Sequence, residues 1–207
     1  MPLTTRTLTT LRPVVDEASL ERTTGAQVQW SRVTATNADS AKIVRAFAVV
    51  GRTASGALVP RSVAATLTSV VVTSNVATVT LVAHGYAVGD VITVAGANLA
   101  YANGRKTVLT VPTADTFTVE ATGGNATATG TITGNYAAVG FIETDATQNA
   151  PAEAATGYGV VVGGVLYESI LPDASGGPPK TLSAAIKAEL VTSGCTFKFA
   201  PYTDSRA

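Results

Sequence analysis

The chain has 207 residues and a mass of 20.9 kDa, enough to bury a hydrophobic core in one domain or two small ones. Charged residues make up 14% of it and the formal net charge is zero, so no positive field favours nucleic acid as a partner. The single cysteine, Cys195, excludes an internal disulfide framework and is interpreted as a buried small hydrophobe. No segment has the apolar pattern of a signal peptide or a membrane span, so we expect a soluble protein made in the cytoplasm, with no membrane partner.

The first quarter of the chain predicts an arm and two strands. Residues 1–26 are rich in Thr and Arg without a sustained period of 2 or 3.6, which predicts an extended arm that stays mobile until a partner holds it. In the next segment, QVQWSRV, Val28 and Trp30 alternate with polar residues, which predicts a half-buried strand. A second strand is expected over residues 42–51, followed by a turn at 53–56.

The middle of the chain, residues 67–134, consists of short runs rich in Val, Thr and Ile. The runs are separated by the turn signals SN, HGYAVGD, GANLAYANG, PTAD and TGGNAT. Turn signals at this spacing predict a small all-β barrel or sandwich. Its aromatic residues are only Tyr86, Tyr101 and Phe117, so we expect a thin core and no large ligand pocket.

The C-terminal part predicts strands over residues 136–147 and 157–171, a helix over 181–194, and a last strand in CTFKFAPY. Thr181 is the expected N-cap of the helix, and Gly194 the residue that follows its end. The apolar stripe of this helix would contain Leu182, Ala185, Ile186 and Leu190. The predicted fold class is therefore mainly β with one short helix (α+β).

Few residues are candidates for catalysis or metal binding. His84 is the only histidine, lies in a turn pattern and has no nucleophile signature nearby, so we expect it to stabilise the turn. One histidine with scattered aspartates does not make a metal site. The aspartates that adjoin turns are expected to accept backbone N–H groups; they are Asp39, Asp90 and Asp115.

Two pairs of carboxylates could in principle support acid–base chemistry on a glycosidic bond. Glu143 and Asp145 would project from one face of a strand, and Glu168 and Asp173 bracket a strand end. Such sites usually lie in aromatic-lined clefts, whereas aromatic residues make up 6% of this chain. We therefore expect no enzyme activity, no cofactor and no metal.

Two separated stretches carry a resemblance to a known family. Residues 44–60 (VRAFAVVGRTASGALVP) look like the strand, turn and strand of tailed-phage head-decoration proteins of the lambda type. Residues 138–199 follow the order of that family's C-terminal half: a glycine-led strand with a tyrosine and an acidic residue, a proline and acidic turn, a short helix and a last strand. Those places are occupied here by Gly164, Tyr167, Glu168, Pro172 and Asp173.

The chain departs from this family in the middle, where residues 67–134 look inserted. HGYAVGDVITV, YANG and DTFTV resemble a small β module that occurs in many phage head and tail proteins. The resemblance thus implies a lambda-decoration-like β body, residues 27–66 plus 135–207, interrupted by an all-β barrel or sandwich and preceded by the arm.

Members of the resembled family form trimers on the outside of an expanded phage capsid and bridge neighbouring copies of the major capsid protein. The resemblance therefore implies a virion structural protein, a decoration or cement protein, with the capsid protein and its own copies as partners. An extended arm can add a strand to an exposed sheet edge on the shell. The expected capsid or trimer contacts are Leu3, Leu8, Leu11, Val14, Tyr167, Glu168, Pro172 and Asp173.

Two alternatives stay open at this point. The inserted module also occurs in phage tails, so the chain could be a tail or baseplate structural protein. The central domain could instead bind carbohydrate, such as a glycan of the host surface, in an adhesion module. Trimers capping a shell, elongated tubes and glycan binding are the observations that would separate the three hypotheses.

Overall fold

The computed structural model describes residues 17–33, 43–61, 65–148, 157–168, 171 and 182–201. Short 3₁₀ turns lie at Glu17–Ser19, Trp30–Arg32 and Ala100–Ala102, and one α-helix, α1, spans Ala184–Thr192. The strands are β1 Glu21–Ala26, β2 Ile43–Val44, β3 Val49–Arg52, β4 Leu58–Pro60, β5 Ala65–Thr66, β6 Ser69–Thr73, β7 Val76–Thr80, β8 Val91–Ala95, β9 Gly104–Thr113, β10 Thr116–Glu120, β11 Ala126–Thr127, β12 Thr133–Tyr136, β13 Gly140–Ile142, β14 Ala146–Thr147, β15 Tyr158–Tyr167 and β16 Thr196–Ala200. The chain is mainly β with a single short helix, as the sequence predicts.

The first sheet has six strands in the order β1-β15-β13-β3-β4, and β16 pairs with β15 in parallel. Consecutive residues of its central strands point to opposite faces, as the pleat of a strand requires. Phe141 lies in the core that α1 covers, and Ile142 lies in a second core on the other face. Each face of the first sheet therefore packs against its own hydrophobic core.

The second sheet has eight strands in the order β11-β6-β7-β10-β9-β8-β12-β5 and curls into a half-barrel. The strands alternate buried and outward residues, as in SVVVT, where Val70 and Val72 are buried. Phe117, which is fully buried, lies in the core of this sheet. The strands fall between residues 65 and 136, a span that includes the block 67–134.

The carboxylate of Asp90 links the two sheets. Its Oδ1 accepts the N–H of Ala54 at 2.7 Å, in the turn between β3 and β4 of the first sheet. Its Oδ2 accepts the N–H of Ala87 at 2.9 Å and the hydroxyl of Tyr136 at 2.8 Å, both in the region of the second sheet. Asp90 is 1% exposed, so these three donors replace the water that a buried carboxylate loses.

Burial also affects the two tyrosines beside Asp90. Desolvation, assisted by the hydrogen bond to Asp90, raises the pKa of Tyr136 far above its usual value. Desolvation likewise raises the pKa of Tyr86 to about 12. The rings of the two tyrosines meet edge to face, with centroids 5.0 Å apart. Both hydroxyls therefore stay protonated, and that of Tyr136 remains a donor to Asp90.

A second link joins α1 to the chain segments that connect the sheets. The guanidinium of Arg61 binds both carboxylate oxygens of Glu189, at 2.6 and 2.8 Å. Glu189 Oε2 also accepts the N–H of Ala138 at 3.1 Å. The side chains of Arg61 and Glu189 are only 11% and 14% exposed. The pair is thus a two-point, largely desolvated ion pair, the geometry in which Arg binds a carboxylate most strongly.

The helix begins later than predicted and ends as predicted. Its N-cap is Ser183, whose Oγ accepts the N–H of Ile186 at 3.3 Å, so the assignment of the cap to Thr181 was wrong; Thr181 lies outside the described residues. Gly194 follows the helix end with φ of +85°, a conformation that glycine adopts without strain. Within the described part of the chain, no helix is long and apolar enough to cross a membrane.

Two strand predictions were wrong in part. Val28 makes only a single bridge to Leu58, and Trp30–Arg32 forms a 3₁₀ turn instead of a strand. This turn brings Arg32 to the carbonyl oxygen of His84, which accepts its Nη1–H at 3.0 Å. The strand predicted over residues 42–51 is broken at Phe47, whose φ is +62°, and the Phe47 N–H instead donates to Ile142.

The predicted arm is shorter than residues 1–26. Glu21–Ala26 forms β1, which pairs antiparallel with β15 and belongs to the first sheet. The polar composition of ERTTGA hid this strand, because five of its six residues are exposed at the sheet edge and bring no apolar alternation. Residues 1–16 lie outside the described residues, and an arm over that segment stays a prediction.

Replacing Arg61 by Met should destabilise the protein strongly. Among the described residues, the change leaves the largely buried Glu189 side chain with the Ala138 N–H as its one partner, so we expect a loss of about 3 kcal/mol in the free energy of unfolding. Arg45→Met is the matched control, because Arg45 pairs with Asp145 at 3.3 Å while 44% exposed, and the loss should stay below about 1 kcal/mol. Urea unfolding measures both, and equal losses would contradict the role given to Arg61.

Removing residues 67–132 should leave a first sheet that still folds. Thr66 pairs with Thr133 and Ala65 with Gly134, so the two ends already form an antiparallel ladder that an Asn-Gly turn can close. Val59 and Tyr136 lose their covering core, so we expect a cooperative urea transition at a lower midpoint than in the full chain. Far-UV circular dichroism without a cooperative transition would show that the first sheet depends on the second.

Candidate functional site

Strand β15 is the centre of the first sheet and contains two adjacent glycines with different roles. Above Gly163, the hydroxyl of Thr196 donates to Glu21 Oε2 at 2.6 Å, and this bond crosses the place where a Cβ would lie. Gly164 has φ of +123°, and a Cβ there would be 3.0 Å from the carbonyl oxygen of Ser19. The pair therefore lets β1 and β16 approach β15 closely from its two sides.

Tyr167 and Glu168, two of the predicted contact residues, lie at the C-terminal end of β15. Tyr167 pairs with Ala200 in the parallel ladder to β16. Glu168 binds Lys187 of α1 at 2.7 Å, and its side chain is 18% exposed. The Lys187 ammonium lies 5.1 Å from the ring centroid of Phe199. The strand end, the helix and β16 thus form one connected surface, on which Glu168 already has a partner within the chain.

Two edges of the first sheet are open in the part of the chain that the structure describes. The strands β1 and β16 each pair with β15 alone. The edge at β4 is covered, because Leu58 exchanges backbone hydrogen bonds with Gln27 and Gln29 at 2.7 and 2.9 Å. An additional strand could therefore pair at β1 or β16, and we take these two edges, with the end of β15, as the candidate contact surface.

The other predicted contact residues lie outside the described residues. They are Leu3, Leu8, Leu11, Val14, Pro172 and Asp173. A contact role for them, and for Tyr167 and Glu168, stays a prediction.

His84 has the structural role that its turn pattern predicts. It is 7% exposed, and its Nδ1 accepts the N–H of Tyr86 at 2.9 Å within the turn. Its ring packs against Phe117 with centroids 4.9 Å apart. Asp115 has a similar turn role, because its carboxylate accepts the N–H of Ala83 at 2.8 Å.

Glu143 and Asp145, one of the two pairs considered for acid–base chemistry, are each held by a cation within the chain. Glu143 accepts the Nε–H of Arg22 at 2.7 Å, and Asp145 pairs with Arg45 and also accepts the N–H of Ala46. The Glu143–Arg22 pair lies beside Gly159, where a Cβ would overlap Glu143 Oε2. Both carboxylates thus fasten strands and loops of the first sheet.

Cys195 is a buried small hydrophobe, as the sequence predicts. It is 7% exposed within the core under α1, and burial raises the pKa of its thiol to about 11. Its Sγ lies 3.4 Å from the carbonyl oxygen of Val139. Among the described residues, no group of three or more His, Cys, Asp or Glu side chains is arranged to hold a metal ion.

Sequence reasoning missed Glu21 and Thr196 as partners across β15. They are 175 residues apart, and neither stands in a recognisable motif. The only local signal was the glycine pair, since a glycine inside a strand often marks the close approach of another chain segment.

Gly163→Ala tests this packing directly. The added methyl group must displace the Glu21–Thr196 hydrogen bond, so we expect a loss of about 1–3 kcal/mol in the free energy of unfolding. The matched control is Gly124→Ala, where a Cβ meets nothing within 4 Å, and its stability should be unchanged or slightly higher. If urea unfolding gives the same stability for both variants, the space above Gly163 is not constrained as described.

No model of a known protein family, no curated protein and no solved structure matches this chain.

Proposed function

We propose that this chain is a decoration or cement protein on the exterior of a tailed-phage capsid. In this role it binds the major capsid protein, forms a homotrimer, and stabilises the shell by bridging capsid subunits. It acts as a structural protein without catalysis or a cofactor.

The observation that carries the proposal is the way the two resembling stretches assemble. Residues 44–60 contribute β3 and β4, and residues 138–199 contribute β13, β15, α1 and most of β16. These elements, far apart in the chain, form one sheet with the helix packed on it, while the residues between them form the second sheet. This is the arrangement that a lambda-type body with an insertion requires, so it supports the proposal.

The open edges of the first sheet agree with attachment by added strands. β1 is an edge strand, and residues 1–16 precede it in the chain, separated from it by the 3₁₀ turn at Glu17–Ser19. In the proposal, the apolar residues of that segment bind a sheet edge on the shell. A trimer carries three such arms, so weak individual contacts add to strong attachment through their high effective concentration.

The test combines the full chain with expanded shells assembled from the major capsid protein of the same phage. Light scattering should give a particle of three times 20.9 kDa for the free protein, and sedimentation should recover it with the shells. Replacing Leu3, Leu8, Leu11 and Val14 together by Ser should reduce shell binding at least tenfold. The matched control replaces Thr4, Thr5, Thr9 and Thr10 by Ser and should bind normally.

Cryo-EM of the decorated particle decides between this proposal and its rivals. Density on the outer shell surface at three-fold positions would support a decoration protein. Density on the tail or baseplate, or tubes formed by the purified chain, would instead assign it to the tail. Absence of binding to shells and tails alike would contradict a phage structural role.

A further inference from the structure

The second sheet has a shallow cleft that the proposed function does not use. It lies between the 3₁₀ turn Ala100–Ala102 and residues of β9 and β10, and its volume is about 390 Å³. This volume is within the range of small-ligand sites, about 300–1,000 Å³. Its lining includes Tyr101, Lys106, Thr107, Glu120 and Thr122.

The aromatic ring of this cleft is held in place by its surroundings. Tyr101 packs on Gly123 so closely that a Cβ there would lie 2.6 Å from the ring. The Tyr101 hydroxyl donates to the carbonyl oxygen of Gly124 at 2.7 Å, and the ammonium of Lys106 donates to the carbonyl oxygen of Tyr101 at 2.8 Å. The half-buried ring is thus fixed before any ligand arrives, which lowers the entropic cost of binding.

The cleft offers both donors and acceptors next to this ring. Lys106 has three N–H donors and uses one of them for the Tyr101 carbonyl. Glu120 is exposed, and within the described residues its carboxylate accepts one hydrogen bond, from the Thr122 hydroxyl at 3.1 Å. The hydroxyl of Thr107 can donate and accept. A ligand with many hydroxyl groups would satisfy all of these groups.

Rows of hydroxyl side chains extend from the cleft across the outer face of the same sheet. Along β10, Thr118 and Thr116 follow Glu120 on the same face. The cross-strand register places Ser69, Thr80, Thr116 and Thr113 in one row, and Val71, Thr78, Thr118 and Thr110 in the next. Neighbours within a row are about 4.8 Å apart and the rows about 6.8 Å apart. Seven of these eight positions carry a hydroxyl and none is charged.

We propose that this cleft and the adjoining hydroxyl rows bind an oligosaccharide. One sugar ring lies against the exposed part of Tyr101, whose ring already packs on Gly123 and the core of the second sheet, and the sugar hydroxyls bond to Lys106 and Glu120. The following sugars run along the uncharged hydroxyl rows. There Thr110 bonds to Thr118 at 2.7 Å and Thr113 to Thr116 at 2.8 Å, so each pair keeps one hydroxyl proton to donate to a sugar. This surface lies on the second sheet, whereas the candidate contact surface at β1, β16 and the end of β15 lies on the first, so glycan binding does not depend on the decoration role.

The experiment uses the purified full chain on an array of neutral and acidic oligosaccharides, followed by calorimetry with the strongest-binding glycan. Lys106→Met should weaken binding at least tenfold, and Thr118→Val several-fold. The matched controls are Lys198→Met on β16 and Thr24→Val on β1, both exposed, and each should bind within twofold of the unchanged protein. Thermal melts verify that all four variants are folded.

Three results would overturn the inference: an array without binding, equal affinities for cleft and control variants, or a glycan whose binding survives Lys106→Met. The shell-sedimentation assay distinguishes failure of the glycan proposal from failure of the proposed decoration function. Lys106→Met and Thr118→Val should bind shells normally whether or not the glycan is bound.

Discussion

The buried carboxylate of Asp90 is the constraint on which the arrangement of the two sheets depends. A carboxylate that is 1% exposed is costly unless donors replace its water, and here the three donors come from three different segments. Ala54 belongs to the first sheet, Ala87 to the loop before β8, and Tyr136 to β12. Because losing any one donor leaves a buried charge undersatisfied, the turn of the first sheet is held in one position against the second.

Glu189 fixes the same arrangement from the helix side. Arg61 stands just before the second sheet begins at β5, and Ala138 stands just after it ends at β12. Glu189 binds both, so one carboxylate of α1 fastens the two places where the chain crosses between the sheets. Arg105 of β9 adds a third contact through Ser193, at 2.7 Å. The helix, which covers one core of the first sheet, thereby also holds the second sheet in place.

The strands and the helix end were predicted correctly where the residues nearby in sequence determine the backbone conformation. The alternation of Val and Thr identified the strands of the second sheet, and the glycine after the helix marked its end. Predictions were wrong where a distant partner decides the backbone: Trp30–Arg32 turns to reach the loop at His84, and Phe47 adopts a positive φ to bond to Ile142. Asp90 was recognised as a turn residue, yet its bonds to Ala54 and Tyr136, 36 and 46 residues away, have no local signal.

In the stretch GVVVGGVLY, the positions of valine and glycine reflect contacts with residues that are distant in the sequence. Its valines supply the two cores of the first sheet, and its glycines remove side chains where Glu21, Thr196 and Leu20 must pass. As a result β15 pairs with the two open edge strands on its two sides while being anchored in both cores. Under the proposed function, a capsid strand bound at β1 is one backbone ladder away from β15, which is anchored in both cores of the first sheet. Because Gly163 and Gly164 carry no side chains, the edge strands of the candidate contact surface can pack directly against a strand that lies in the core.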